Sequence, residues 1–77
     1  MHVLLFAGLA ERLGVRTLEL AAPHPDHVAA LRARLAAEHG ALAGAVYRVS
    51  VNQAYASEST QLAEGDEIAL IPPVSGG

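Results

Sequence analysis

The fold is decided by residues 62–77, LAEGDEIALIPPVSGG. Within this stretch, residues 63–66 are a strong turn signal, because glycine tolerates positive φ and aspartate bonds its own backbone. Residues 68–71 then alternate as a strand does, and Pro72-Pro73 stops that strand because neither proline can donate to a hydrogen-bond ladder. Residues 74–77, VSGG, are therefore predicted to form a flexible diglycine tail outside the folded body.

The elements that precede this stretch are predicted from alternation and from helical spacing. In chain order they are a strand at His2–Phe6, a short helix at Gly8–Leu13, a strand at Val15–Leu20, the main helix from Asp26 to Gly40, and strands at Val46–Val51 and Ala54–Ser57. Asp26 is the expected N-cap of the main helix, with Pro25 at the first helical position as the alternative. Gly40 is expected to end the helix.

The main helix carries one apolar stripe, made by Val28, Leu31 and Leu35. One such helix can cover one face of one small sheet. The first two strands can pair antiparallel, and the last strand can return parallel to the first after a crossover. The pattern predicts an α+β fold, a β-grasp, in which a mixed sheet of four to five strands packs on one main helix. A short helix completes this domain, which is predicted to span residues 1–73.

Composition excludes several classes of protein. The chain has 77 residues, enough for one domain, and no cysteine, which excludes disulfides and a thiol nucleophile. A net charge of −3 does not favour nucleic acid or an anionic membrane as a partner. The apolar run Val3–Ala10 is too short for a bilayer span and lacks a preceding cation, so a cytoplasmic protein is expected.

No internal catalytic centre is predicted. His24, Asp26 and His27 lie close in sequence, but their spacing matches no zinc pattern and a solvated loop explains them. The pair Asp66-Glu67 adjoins a turn, and no serine has the context of a nucleophile elbow. The tail carboxylate is then the one reactive group that the sequence offers.

At this point the sequence resembles a known family. Residues 62–77 are similar to the C-terminal signature of the MoaD family, the small sulfur-carrier subunit of molybdopterin synthase, whose fold is a ubiquitin-like β-grasp. The Gly-Asp-Glu turn, the apolar strand, the Pro-Pro pair and the terminal Val-Ser-Gly-Gly stand in family order. Residues 5–14, LFAGLAERLG, resemble the first strand and short helix of the family, and residues 49–52 resemble its middle strand and turn.

The resemblance implies a mechanism. An adenylating enzyme of the ubiquitin-activating type would use ATP to activate Gly77, and a sulfur donor would then leave a C-terminal thiocarboxylate, that is, 1-thioglycine. The tail would next enter the large subunit of molybdopterin synthase, within a heterotetramer, and pass its sulfur to a pyranopterin precursor. The chain itself would bind no cofactor and supply no catalytic residue.

The resemblance also assigns roles to residues of the tail and of the last strand. Gly77 would carry sulfur, Gly76 would provide clearance in a narrow channel, and the positioning residues would be Pro72, Pro73, Val74 and Ser75. If Ile68 and Leu70 face the helix, alternation turns Ala69 and Ile71 outward, where they are expected to contact a partner. The alternative is that these two residues cover more of the core.

Two other functions stay open. One is a sulfur carrier for tRNA thiolation or for thiamine, although thiamine carriers usually lack the short helix after the first strand. The other is a ubiquitin-like modifier that is conjugated through Gly77 to lysines of other proteins. The chain contains no lysine, so it offers no side-chain amine for linkage to itself.

Overall fold

The computed structural model describes residues 1–73. In chain order the elements are β1 (His2–Leu5), α1 (Ala7–Leu13), β2 (Thr17–Glu19), α2 (Val28–Glu38), a 3-10 helix (Gly40–Leu42), β3 (Arg48–Val51), β4 (Ala54–Tyr55) and β5 (Ile68–Ile71). The predicted order of elements is confirmed, and the strands are up to two residues shorter at an end than the sequence pattern suggests.

The sheet has five strands in the order β2-β1-β5-β3-β4. β1 pairs antiparallel with β2 and parallel with β5, as the β-grasp prediction requires. On its other side β5 pairs antiparallel with β3, with Ile71 opposite Arg48. β5 is therefore the central strand, and it is hydrogen-bonded along both edges.

α2 covers one face of this sheet through its predicted stripe. Val28, Leu31 and Leu35 are all fully buried, and so are Ile68 and Leu70 of β5. The same cluster takes in side chains from β1, β2, β3 and the 3-10 helix, including Val3, Leu18, Leu42 and Val49. One continuous core therefore lies between α2 and the inner face of the sheet.

The start of α2 differs from the prediction. Asp26 is not the N-cap: that position belongs to His27, which makes no side-chain capping bond, and Pro25 lies before the cap. The first two helical N–H groups are instead satisfied from a distant loop, because Val28 donates to the Thr60 carbonyl at 3.1 Å and Ala29 to the Glu58 carbonyl at 2.9 Å. Capping by a remote segment leaves no local sequence signal.

The end of α2 also differs from the prediction. The helix stops at Glu38, with His39 as its C-cap, and Gly40 begins the 3-10 helix rather than ending α2. That short helix buries Leu42, which is 2% exposed. The connection to β3 therefore contributes to the core. Gly14, by contrast, ends α1, with left-handed backbone and its N–H bonded to the Ala10 carbonyl.

The hairpin between β3 and β4 turns at Asn52 and Gln53. Both residues have positive φ, 51° and 69°, which matches the twist of the flanking strands. Asn52 also ties the hairpin to the start of β5: its side chain accepts from the Glu67 N–H at 2.9 Å and donates to Asp66 at 3.0 Å. The turn before β5 is thus held by the neighbouring hairpin.

Asp66 makes this turn sensitive to acid. The Asp66 carboxylate accepts from the Ala63 N–H at 2.8 Å and from the Asn52 side-chain amide at 3.0 Å. Both bonds hold the pKa of Asp66 below its usual 3.8, and the bond from Ala63 has the larger effect. The bonds favour the charged form, so their stabilisation is complete above pH 3.8 and is lost as the pH falls through the lowered pKa of the folded state.

We therefore expect the urea midpoint of the wild-type protein to fall below pH 3.8, and Asp66→Asn to reduce that fall. At neutral pH the variant should be the less stable protein, because an amide accepts the Ala63 N–H less strongly than a carboxylate does. Glu64→Gln removes a carboxylate from the same turn and serves as the matched control. Equal pH profiles for the two variants would contradict this assignment.

Candidate functional site

The site is built around the end of β5, from which the predicted tail departs. The Leu70 carbonyl accepts from the Phe6 N–H at 3.3 Å on one side, while Arg48 lies opposite Ile71 on the other. The end of β5 is thus fixed between two strands. Pro72, which follows, is half-buried and Pro73 is exposed, so the chain leaves the sheet at the C-terminal end of β5.

The sequence assigned the reacting group to the tail. The predicted sulfur-carrying residues Gly76 and Gly77, and the predicted positioning residues Val74 and Ser75, lie outside the described residues. What the structure describes is the base of the tail, the segment Ile71–Pro73. The sheet places this segment beside the end of β1 and the start of β3.

The two residues predicted to contact a partner, Ala69 and Ile71, lie on the sheet face that is turned away from α2. Ala69 is buried, with 7% of its surface exposed, whereas Ile71 is half-buried. Both line a shallow hollow on this outer face, whose other lining residues are Leu4, Phe6, Ser50, Gln53, Tyr55 and Glu67. Ile71 is thus the more accessible of the two.

Two aromatic residues of this face were missed at the level of sequence. Phe6 is 48% exposed and Tyr55 is 57% exposed, and they stand at opposite sides of the hollow. The alternation in β1 carried a usable signal for Phe6: with Val3 and Leu5 buried, Leu4 and Phe6 fall on the outer face. We call the residues Phe6, Tyr55, Ala69 and Ile71 the outer apolar face.

Arg48 borders the outer apolar face on the side of β4. Its guanidinium carbon lies 3.7 Å from the centre of the Tyr55 ring, a cation–π contact across the hairpin. At the floor of the hollow Ser50 is 6% exposed. An exposed ring held by a cation and set beside aliphatic residues is suited to contact with another protein.

Two histidines outside this face contact their neighbours in sequence. His27 binds its neighbour Asp26, with Nδ1 and Oδ1 2.5 Å apart, and this bond holds the pKa of Asp26 below its usual 3.8. The ring of His24 contacts the Pro25 carbonyl at 2.7 Å. Among the described residues no group of three His, Cys, Asp or Glu side chains could hold a metal ion.

Tyr47 is the remaining buried titratable group of note. Burial raises its pKa, and the Arg32 guanidinium, 4.7 Å from the ring centre, acts in the opposite direction. The ring belongs to the core, so this contact is structural. In residues 1–73, no helix combines the length and the apolar character that are needed to cross a membrane.

Comparisons with known proteins agree with this geometry. A family model described as the ThiS family matches residues 3–77. The molybdopterin synthase sulfur carrier subunit of Escherichia coli strain K12 is 40% identical over 81 residues, covering 100% of this chain and 99% of that protein.

Solved structures agree as well. The small archaeal modifier protein 1 of Haloferax volcanii has a TM-score of 0.80 at 31% identity, over 95% of each chain. A complex of subunits 1 and 2 of the molybdopterin-converting factor from Helicobacter pylori 26695 contains a chain with a TM-score of 0.70 at 27% identity, covering 99% of this chain and 96% of that one. The chain therefore belongs to the ThiS family, and its fold and relatives place it with the ubiquitin-like sulfur carriers of the MoaD type.

Proposed function

We propose that this chain is the small subunit of molybdopterin synthase and carries sulfur as a thiocarboxylate on Gly77. The observation that carries the proposal is the position of the base of the tail. β5, the central strand, ends beside an exposed apolar face, and the Pro72-Pro73 pair directs the chain away from the sheet. A partner that binds this face would receive the tail next to it.

In the first step, the Gly77 carboxylate attacks the α-phosphorus of ATP on an adenylating enzyme, which forms an acyl adenylate and releases pyrophosphate. A carboxylate is a poor acyl donor, and the mixed anhydride makes its carbon open to attack by a sulfur donor, which replaces AMP. The product is a terminal thiocarboxylate, a good sulfur nucleophile. Gly76 has no side chain, which lets the tail enter a channel too narrow for other residues.

In the second step, the large subunit of molybdopterin synthase binds the outer apolar face and takes the tail into its own active site. There the sulfur passes to a pyranopterin precursor, and the acids and bases belong to that partner. The likeness to a chain within the Helicobacter pylori two-subunit complex supports a large-subunit partner. Both steps are expected to take place in the cytoplasm.

Mass spectrometry of the protein purified from its native host tests the loading step. We expect a fraction whose mass increases by the exchange of one oxygen for one sulfur, and fragmentation that places the exchange on Gly77. Alkylation with iodoacetamide should shift this fraction alone, because the chain has no cysteine to compete for the reagent. A protein population that never contains the thiocarboxylate would contradict the proposal.

The second candidate is a modifier that forms isopeptide bonds to other proteins. The likeness to small archaeal modifier protein 1, at 31% identity, supports this modifier function as a second candidate. The same mass spectrometry separates the two functions, because conjugation followed by trypsin digestion leaves residues 49–77, the fragment after the last arginine Arg48, on lysines of other proteins. Finding these adducts without any thiocarboxylate would replace the first proposal by the second.

The final acceptor is tested by reconstitution. Thiocarboxylated protein, a candidate large subunit and the pyranopterin precursor should together yield molybdopterin. A carrier for tRNA thiolation or thiamine would instead be loaded normally and fail to release its sulfur in this mixture. Loading and delivery are thus measured by separate assays.

A further inference from the structure

The outer face of the sheet carries both signs of charge, at opposite ends of its strands. Arg48 lies at the end where the tail departs, opposite Ile71. Glu67 directly precedes β5 and lines the outer hollow from the other end. Both side chains are exposed, and none of the ion pairs found within residues 1–73 involves either of them. Each charge is therefore available to a partner.

The register of the sheet sets these two charges symmetrically about a row of uncharged side chains. This middle row crosses all five strands through successive cross-strand partners, which are Thr17, Leu4, Ala69, Ser50 and Tyr55. Arg48 lies two residues from Ser50 in one direction along the strands, and Glu67 lies two residues from Ala69 in the other. Each charge is thus displaced from the middle row by about 7 Å, two residue steps of a strand.

A pattern of this kind is complementary to itself. A twofold axis that runs along the middle row, between two stacked sheets, reverses the strands of the second copy and leaves the middle row facing itself. Arg48 of each copy then lies level with Glu67 of the other, so the same contact is made twice. Stacked sheets lie about 10 Å apart, a gap that one arginine and one glutamate side chain bridge together.

The charges also distinguish this arrangement from the other ways of covering the face. A twofold axis parallel to the strands would stack the Arg48 ends on each other and the Glu67 ends on each other, and like charges that face each other oppose association. A partner surface of one charge sign would match only one end. The antiparallel pair matches both ends and covers the exposed rings of Phe6 and Tyr55.

We infer that the free protein pairs with a second copy of itself through the outer apolar face, with its strands antiparallel and Arg48 of each copy bound to Glu67 of the other. The pair is weak and reversible, because a stable interface covers about 800 Å² of each partner and strands of four residues or fewer offer less. Pairing hides the outer apolar face, so it excludes binding of the large subunit. That last consequence alone rests on the proposed function.

Sedimentation equilibrium of the purified protein tests the pairing. Between about 10 μM and 2 mM we expect a monomer–dimer equilibrium with a dissociation constant on the order of 100 μM to 1 mM. Arg48→Glu and Glu67→Arg should each weaken self-association by roughly tenfold or more, because like charges then face each other at both contacts. A wild-type protein that stays monomeric over this whole range would overturn the inference.

An equimolar mixture of the Arg48→Glu and Glu67→Arg variants is the decisive measurement. In a pair made of one copy of each, the two changed side chains face each other and so do the two unchanged ones, so both contacts again join opposite charges. The mixture should associate with nearly wild-type affinity, and so should a chain that carries both changes. A mixture that associates no better than either variant alone would exclude the antiparallel pair.

The matched controls change the charge equally on the opposite side of the molecule. Ala29, Ala33 and Ala37 are exposed on α2, which covers the other face of the sheet. Ala29→Glu with Ala33→Glu lowers the net charge by two, as Arg48→Glu does, and Ala33→Arg with Ala37→Arg raises it by two, as Glu67→Arg does. Both controls should self-associate like the wild type, and weakening equal to that of the face variants would refute the contact.

The design separates this inference from the proposed function. Thermal melts first establish that every variant is folded, and self-association is then measured on the carrier alone, without an adenylating enzyme or a large subunit. Monomeric wild-type protein that is still loaded as a thiocarboxylate would remove the pairing and leave the proposed function intact. A pair that forms as expected from protein that is never loaded would do the reverse.

Discussion

Removing Gly77, or adding one residue after it, is expected to abolish loading and sulfur transfer while leaving the thermal unfolding transition unchanged. The acyl group must reach the nucleotide of the adenylating enzyme, and a displacement of even one residue moves it by about 3.5 Å. Misplacement on that scale is enough to lose catalysis. These changes at the C-terminus should not alter the thermal stability, because the buried core residues found in the structure run from Val3 to Leu70.

Both changes are measured by acyl-adenylate formation and by the midpoint of a thermal melt. Glu64→Gln alters an exposed residue of the turn before β5, keeps the tail unchanged and is the control, so it should be loaded. A fall of several degrees in the melting midpoint on deleting Gly77 would show that the tail supports the fold, and would remove the reason for treating it as a substrate. Normal loading of the extended chain would refute the requirement for a free terminal glycine.

Much of this fold was predictable from the sequence because its signals are local. Val28, Leu31 and Leu35 lie one or two turns apart, and this spacing alone indicates a buried helical stripe. Ile68 and Leu70 alternate in β5, which fixes the inner and outer faces of the central strand. Neither pattern depends on the rest of the chain.

The errors come from contacts that are remote in sequence. Asp26 has the chemistry of an N-cap, yet the loop around Glu58 and Thr60 supplies the carbonyls that bind the first turn of α2. Gly40 has the chemistry of a helix end, yet burial of Leu42 extends a helical turn beyond it. Tertiary packing overrode the local preference in both places.

The candidate site also has one part that local sequence predicts and one part that depends on contacts remote in sequence. The tail is a local motif, so the sequence alone is enough to predict Gly76 and Gly77 as its functional residues. The outer apolar face is assembled from separate strands, so Tyr55 could be added to it only after the order β3-β4 was known.

Leu70→Ala and Ile71→Ala are expected to have opposite consequences, although the residues are neighbours in β5. Leu70 is fully buried under α2, so truncation should lower the free energy of unfolding by about 2–5 kcal/mol, a large share of the stability of a small domain. Ile71 is half-buried on the outer apolar face, so its truncation should change unfolding by less than about 1 kcal/mol.

Binding to the large subunit should follow the reverse order. Ile71 lies beside the base of the tail, and truncating a residue at the centre of a protein interface weakens binding by roughly tenfold or more. Leu70→Ala should bind with nearly wild-type affinity at a temperature where it is still folded, because its side chain points away from the partner. Urea unfolding and titration calorimetry on the same preparations measure the two effects. The expected pattern is that Leu70→Ala lowers stability but not affinity, while Ile71→Ala lowers affinity but not stability. Normal binding of Ile71→Ala would show that the partner does not use the outer apolar face. If Ile71→Ala also unfolds as easily as Leu70→Ala, Ile71 belongs to the core.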